Sequence, residues 1–273
     1  EELQGLRAEN QRLKKSNHLD HDQKMRLVEC WRMEQQLSQP IRQSIQESDP
    51  VYKKVKEMLA AACPTSHFDS CALMRRKSLE IVSVEQVHNV LLWNKYTARK
   101  DRMRKELANA VIARCEGGLL KLPWIKPEEG LNELLLLHGT HSDKIDIITQ
   151  FGFDERIARE GGLYGRGVYF TDESCKSLQY SGAVDGGIVT GEAGHIIVTR
   201  VLVGQPHFAQ GPMKSTKFEP YIDESDPSKG RCNSVLVQPG TVRGSSQQQV
   251  HREFVIFDNA QTYPELVISF RVH

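Results

Sequence analysis

The sequence lacks the features that would tie a chain to a membrane, to secretion or to nucleic acid. No apolar run approaches the thickness of a bilayer, and no signal peptide opens the chain. Its 36 lysines and arginines balance 35 acidic residues, so the net charge of +1 gives no general attraction to nucleic acid. The six cysteines lie far apart, without a disulfide-dense pattern. We therefore expect an intracellular protein of the nucleus or cytoplasm.

The sequence also lacks internal repeats, low-complexity segments and an evident metal site. Cys63, His67 and Cys71 are spaced four residues apart. Pro64 argues against one helical face that would carry all three, and a fourth ligand is not evident. We expect no metal in this protein.

Residues 1–40 are predicted to form an N-terminal helix, which ends at Pro40. Leu3, Leu6, Asn10 and Leu13 follow alternating spacings of three and four residues, which is typical of a coiled coil with one polar register-setting position. The pattern covers only two good heptads, so a single solvated helix or a linker remains the alternative. A coiled coil would allow self-association through residues 1–36. Because the chain starts at Glu1 without a methionine, we also expect it to be cut from a longer protein.

Three further helices are predicted. Asp49 and Pro50 start the first. Ser142 is predicted to cap the third, which ends at Gly152 and Phe153. The second is carried by the residues Val87, Val90, Leu91, Trp93 and Tyr96.

A glycine-rich block at residues 161–170, followed by residues 171–180, is the most informative stretch. Four glycines in seven residues free the backbone and let a ligand approach the chain closely. A short strand is predicted at 168–170, and Thr171 or Asp172 is predicted to cap the helical turn after it. Two tyrosines and a serine would then surround a hollow suited to a flat aromatic ligand. A dinucleotide fingerprint of the Rossmann type fits poorly, because these glycines precede a strand instead of opening a helix.

Two distant segments add to this block. Residues 134–140 are predicted to form an apolar strand that ends in His-Gly-Thr. Residues 251–257 are predicted to form another strand, with Glu253 near its start. In this order, with the glycine block between them, they resemble the catalytic domain of the poly(ADP-ribose) polymerase family. The segments 152–156 and 261–268 look most like the tankyrase branch and its mono-ADP-ribosylating relatives.

The resemblance implies a fold and a domain. The fold is the diphtheria-toxin-like ADP-ribosyltransferase fold, an α+β architecture with antiparallel sheets around an NAD cleft and helices outside. The domain would span residues 50–273. Residues 181–194 are expected to form a short mobile lid, and they contain no cysteine for the zinc site that tankyrases carry there. Activation by DNA breaks is not expected, since residues before 50 leave no room for an autoinhibitory helical domain.

The resemblance also implies the chemistry. NAD would be the co-substrate, ADP-ribose the transferred group, and proteins the acceptors. The catalytic triad would be His138, Tyr169 and Glu253. Glu253 would bind the ribose and stabilise the positive charge that develops as nicotinamide leaves. Glu265, by contrast, is expected at an exposed strand end.

The remaining binding residues follow from the same motifs. His138 would hydrogen-bond the ribose on the adenosine side, and Gly139 would meet the carboxamide with its backbone. The expected NAD-binding residues are His138, Gly139, Thr140, Tyr169, Ser177 and Tyr180. A complete triad is compatible with polymer synthesis, and the alternatives are transfer of single units or an inactive interaction module of the same fold.

Overall fold

The computed structural model describes residues 40–61, 78–118, 120–154, 162–185, 188–243 and 248–273. The predicted N-terminal helix and the Cys63, His67 and Cys71 group lie outside these residues. Within them, no helix is both long and apolar enough to traverse a bilayer. The strands are β1 Ile41–Ser44, β2 Leu79–His88, β3 Glu133–Thr140, β4 Val168–Phe170, β5 Val184–Asp185, β6 Ile188–Val189, β7 Gly194–Leu202, β8 Pro206–Phe208, β9 Ser234–Val237, β10 Glu253–Ile256 and β11 Thr262–Val272. The helices are α1 Pro50–Ala60, α2 Val90–Glu106, α3 Ser142–Phe151 and α4 Ser174–Leu178.

Two sheets form the frame of the domain. One has five antiparallel strands in the order β1-β2-β11-β7-β3, and the other has four strands in the order β4-β10-β9-β8, with β8 and β9 parallel. The sheets meet where Leu137 of β3 exchanges two backbone hydrogen bonds with Thr171, just after β4, at 2.7 and 3.0 Å. This mostly antiparallel α+β arrangement agrees with the predicted fold class.

The apolar residues of the strands explain why the two sheets pack together. Leu136, Phe170, Phe254 and Ile256 are almost fully buried and belong to one cluster between the sheets. Because side chains alternate along a strand, burying Phe254 turns its neighbour Glu253 to the opposite face of β10. The core packing therefore fixes the direction of the glutamate.

Two helix boundaries match the sequence prediction. Asp49 caps α1 by accepting a hydrogen bond from Val51 N at 2.7 Å, with Pro50 in the first turn. Gly152 ends α3 with a φ of 87°, a conformation that glycine adopts readily.

Other boundaries were predicted wrongly. Helix α2 begins at Val90 and not at Val87, because β2 continues to His88 and Asn89 Oδ1 caps the helix by accepting from Leu92 N at 3.0 Å. Ser142 is the first residue of α3 and not its cap, a position that His141 occupies. The lid at residues 181–194 stays a prediction, and within it Val184 pairs with Val189 across β5 and β6.

The predicted caps of α4 have other partners. Glu173 holds the N-cap position, while the Thr171 hydroxyl donates to Arg252 O at 2.9 Å. Asp172 forms an ion pair with Arg252 at 2.6 Å. Both side chains therefore connect the start of α4 to the start of β10.

Candidate functional site

His138 lies near the end of β3, where its imidazole contacts the backbone of Tyr169. Nδ1 of His138 is 2.9 Å from Tyr169 O. Burial lowers the pKa of His138, and the hydrogen bond to Tyr169 only partly opposes this. A carbonyl can only accept, so the neutral ring carries its proton on Nδ1 and leaves Nε2 as an acceptor. The ring is further held by Phe153 and Phe170, with centroids at 5.0 and 5.6 Å.

Gly139 allows β3 and α4 to approach each other closely. A Cβ on this residue would stand 1.9 Å from Ser177 O, a distance that no side chain can occupy. Ser177 is buried, and its hydroxyl donates to Ser174 O at 2.9 Å. In this arrangement the Ser177 oxygen can only accept from a ligand, which suits the NH₂ group of a carboxamide.

Tyr169 is held by the glycine-rich loop that precedes it. Its hydroxyl accepts from Tyr164 N at 2.8 Å and donates to Gly165 O at 2.9 Å. A Cβ on Gly162 would lie 2.7 Å from that hydroxyl. Burial raises the pKa of Tyr169 well above its usual value, so the phenol stays neutral and presents its ring face.

The register between β4 and β10 places Tyr169 and Glu253 on the same side. Tyr169 pairs with Val255, and residues two apart on a strand share a face, so Glu253 and Tyr169 lie on one face of this sheet. His138 joins them through its hydrogen bond to Tyr169. The structure therefore brings the three residues of the predicted triad into one neighbourhood.

The carboxylate of Glu253 is buried, and its hydrogen bonds to described residues go to one of its two oxygens. Oε1 accepts from Lys176 Nζ at 2.8 Å and from Gln249 Nε2 at 2.9 Å. Among the residues that the structure describes, both contacts go to the same oxygen, so Oε2 is available to a ligand hydroxyl. Only 6% of the residue is exposed, and a buried carboxylate of this kind acts strongly on nearby charge.

Lys176 and Gln249 were not identified in the sequence as site residues. Lys176 also lies 3.3 Å from the Tyr180 hydroxyl and 5.0 Å from the centre of its ring. Burial acts to lower the pKa of Lys176, but Glu253 and Tyr180 outweigh it and raise that pKa. The lysine is therefore a cation that links Tyr180 to Glu253. Lys176 lies within residues 171–180, next to the predicted site residue Ser177, and this position was a signal that could have identified it. No feature of the sequence around Gln249 indicated a place in the site.

The other predicted binding residues differ in exposure. Thr140 is buried at the end of β3. Tyr180 follows α4 and is 51% exposed, so one face of its ring is open to a ligand.

A second polar cluster lies next to the site in sequence. Glu173, Cys175 and His251 bring together three atoms able to bind a metal ion, all within 4.8 Å of one another. Arg252, between His251 and Glu253, also donates to Glu116 O at 2.7 Å. This cluster was not predicted from the sequence.

Comparison with known proteins identifies the family of this chain. Residues 52–272 match the model of the poly(ADP-ribose) polymerase catalytic domain. Protein mono-ADP-ribosyltransferase PARP12 of Homo sapiens is 27% identical over 191 residues, which cover 70% of this chain and 22% of that protein. Protein mono-ADP-ribosyltransferase PARP14 of Homo sapiens is 27% identical over 229 residues, covering 82% of this chain and 10% of that protein.

A third relative is shorter. Protein mono-ADP-ribosyltransferase PARP11 of Mus musculus is 24% identical over 224 residues, 76% of this chain and 58% of that protein. The chain thus matches less than two thirds of the length of each of these relatives. Since the family model covers most of the sequence, the chain belongs to the poly(ADP-ribose) polymerase catalytic domain family.

Proposed function

We propose that this protein transfers ADP-ribose from NAD to protein acceptors, with His138, Tyr169 and Glu253 as its catalytic triad. The observation that carries the proposal is the half-occupied Glu253 carboxylate on the same sheet face as Tyr169. Membership of the family supplies NAD as the co-substrate. The catalytic domain proposed for this activity spans residues 50–273.

The nicotinamide end of NAD would lie between Tyr169 and Tyr180. Aromatic contacts of this kind contribute about 1 kcal/mol each beyond simple burial. The Ser177 oxygen would accept from the carboxamide NH₂, and the backbone of Gly139 would pair with the rest of that group. The absence of a Cβ at Gly139 is what lets α4 and β3 form this cradle.

His138 and Glu253 would hold the two riboses. With its proton on Nδ1, His138 offers Nε2 to a hydroxyl of the adenosine ribose. Glu253 Oε2 would accept from a hydroxyl of the ribose next to nicotinamide. As the glycosidic bond breaks, the sugar gains positive charge, and a buried carboxylate stabilises that charge more than it stabilises neutral NAD.

The same carboxylate would also support polymer synthesis, which is our first proposal for the product. Elongation requires a base or hydrogen-bond acceptor that orients the hydroxyl of an incoming ADP-ribose, and Glu253 provides one. The second candidate is transfer of single units, because the relatives named above are described as mono-ADP-ribosyltransferases. Those same names give no support to the tankyrase branch, which rests on residues 152–156 and 261–268 alone.

Incubation of the protein with labelled NAD, followed by a denaturing gel, tests the proposal. We expect label on protein, with a ladder of long products for polymer synthesis and a single sharp shift for mono-transfer. Glu253→Gln keeps the size of the side chain but removes its charge. We expect it to abolish elongation and to slow transfer by about 10²–10³-fold.

Two results would contradict the proposal. No labelled protein from the folded wild-type chain would favour the inactive interaction module. Equal transfer and equal product length for wild type and Glu253→Gln would remove Glu253 from the mechanism. A matched control is Glu224→Gln, an exposed change that should leave the product pattern as it is.

A further inference from the structure

Three side chains converge on one point at the junction of α4 and β10. His251 Nδ1 lies 2.6 Å from Glu173 Oε2 and 3.9 Å from Cys175 Sγ. His251 and Cys175 are more than nine-tenths buried, while the Glu173 side chain is 19% exposed. The other Glu173 oxygen accepts from Arg252 N at 3.0 Å, which fixes the direction of the carboxylate.

Glu173 and His251 form a hydrogen bond, and together with Cys175 they also offer three ligand atoms to a cation. A sulfur and a carboxylate oxygen both approach the same imidazole nitrogen, which can carry at most one proton. A thiolate, an imidazole and a carboxylate are the usual ligands of Zn²⁺. Tetrahedral zinc with ordinary bond lengths would separate N from O by about 3.3 Å and N from S by about 3.6 Å. Both observed distances lie within about 0.7 Å of these values, so small side-chain movements suffice.

The other described cysteines lack this environment. Burial raises the pKa of Cys115 to about 11, and it raises the pKa of Cys232 as well. Within residues 40–61, 78–118, 120–154, 162–185, 188–243 and 248–273, the triple of Glu173, Cys175 and His251 is the one group with metal-ligand spacing. Cys175 is therefore set apart from Cys115 and Cys232 by the two ligands beside it.

We propose that Glu173, Cys175 and His251 bind a structural Zn²⁺ ion, with water or a further ligand completing its coordination. Glu173 and Cys175 come from the start of α4, and His251 precedes β10 by two residues. The ion would clamp the helix that carries Lys176 and Ser177 to the strand that carries Glu253. The partly exposed side of Glu173 gives the ion a route of entry. Its role is to hold the two elements together, and it takes no part in the transfer of ADP-ribose.

Metal content and cobalt absorption test this site without any activity measurement. The full chain is stripped with a chelator, dialysed, and titrated with Zn²⁺ or Co²⁺. We expect one equivalent of Zn²⁺ bound at the site, a thiolate-to-cobalt charge-transfer band with Co²⁺, and a rise in Tm with Zn²⁺ that Mg²⁺ does not give.

The variants separate this site from the other cysteine and histidine residues of the chain. The background variant Cys63→Ser/Cys71→Ser removes the remaining cysteine group with metal-like spacing. It should keep one equivalent of Zn²⁺ and the cobalt band. This result shows whether Zn²⁺ binds without Cys63 and Cys71, and it requires no change at the proposed site. Cys175→Ser in this background should lose the band and weaken Zn²⁺ binding at least tenfold, whereas Cys232→Ser should keep both.

The contrary outcomes are equally distinct. A Cys63→Ser/Cys71→Ser protein that binds no Zn²⁺ and shows no cobalt band would overturn the proposal. So would a Cys175→Ser protein that retains the band, or one that behaves like Cys232→Ser. If Cys175→Ser fails to fold, His251→Gln is measured in its place, and the background variant alone still supports or overturns the proposal.

Discussion

Two regions of this domain contain buried glutamates that pair with cations. The regions differ in how many of the carboxylate oxygens are hydrogen-bonded within the protein. In the first, Glu253 meets Lys176 and Gln249 through a single oxygen, Oε1. In the second, Glu133 Oε1 accepts from the Tyr96 hydroxyl at 2.6 Å. Its Oε2 accepts from Lys100 at 2.6 Å and from Glu128 N at 2.7 Å.

Glu265 completes the second region in the same way. Its Oε1 pairs with Arg200, at 2.7 Å from Nε, and its Oε2 accepts from Trp124 Nε1 at 3.2 Å. Both oxygens of Glu133 and of Glu265 are therefore used within the protein, whereas Glu253 keeps one oxygen available as far as the described part of the chain shows. A fully satisfied buried carboxylate serves the fold, and a half-satisfied one is suited to a ligand.

The largest expected effect is on stability, and it falls on the fully satisfied region. Glu265→Gln leaves the Arg200 guanidinium buried without its closest counter-charge. We expect a loss of about 3 kcal/mol in unfolding free energy, the low end for a broken buried pair, since Glu133 remains 3.6 Å from Arg200. In a thermal melt this corresponds to a fall in Tm of roughly 10 °C.

The paired measurement is Glu253→Gln. The flexible Lys176 side chain keeps the Tyr180 hydroxyl and ring as partners, and the amide oxygen of Gln can still accept from it, so we expect a smaller loss of about 1 kcal/mol. A Tm that falls equally in both variants would show that the two regions do not differ in the way described.

The next effect is on rate. Lys176→Met removes the cation that holds Glu253 Oε1 but keeps the length of the side chain. Misplacement of the carboxylate should slow ADP-ribose transfer by about 10²-fold, measured with labelled NAD under initial-rate conditions. Lys144→Met is the matched control, because Lys144 is exposed on α3 and its ammonium pairs with its neighbour Asp143 at 2.7 Å.

Lys176→Arg distinguishes positioning from general damage to the fold. The guanidinium can still donate to Glu253, so we expect partial recovery of the rate. Full activity in Lys176→Met, or an equal loss in Lys144→Met, would contradict the role given to Lys176.

A smaller effect tests how closely α4 must approach β3. Gly139→Ala places a methyl group where Ser177 O stands, so the two elements must separate. We expect a loss of about 1–3 kcal/mol in stability and a higher KM for NAD, because Ser177 moves with the helix. Gly230→Ala is the comparison variant for steric overlap, since nothing lies within 4 Å of a Cβ added at this residue. Its φ of 86° adds backbone strain of its own. An unchanged KM in Gly139→Ala would argue that this contact does not shape the NAD site.

Local patterns predicted the parts of the site that depend on neighbouring residues. The strand at 168–170, the end of α3 at Gly152 and the start of α1 at Asp49 and Pro50 all match the structure. Each is set by a glycine, a cap or an alternation within a few residues. Asn89, by contrast, is a residue type that favours helix caps, but it was not predicted as the cap of α2.

The errors arose where distant segments decide the outcome. Glu265 was predicted at an exposed strand end, but the register of β11 against β7 shifts between Pro264 and Leu266, and Glu265 is 3% exposed. An irregularity of this kind redirects a side chain. Pro264, which has no N–H for the ladder, was a local signal for it that the prediction of Glu265 did not take into account. The contacts of Gln249 with Glu253 and of His251 with Glu173 depend likewise on the docking of β10.

The smallest expected effect is on the pH dependence of stability. It concerns His138, whose Nδ1 is hydrogen-bonded to Tyr169 O. Burial lowers its pKa in the folded protein, so below about pH 6.5, the ordinary value for histidine, the unfolded chain binds the proton more readily. His138 should therefore reduce stability as the pH falls from 7 toward 5. Denaturant titrations of His138→Gln should show a shallower loss over that range than wild type. A steeper loss in the variant would mean that the ring is charged in the folded state, and the tautomer that leaves Nε2 for ribose would then be wrong.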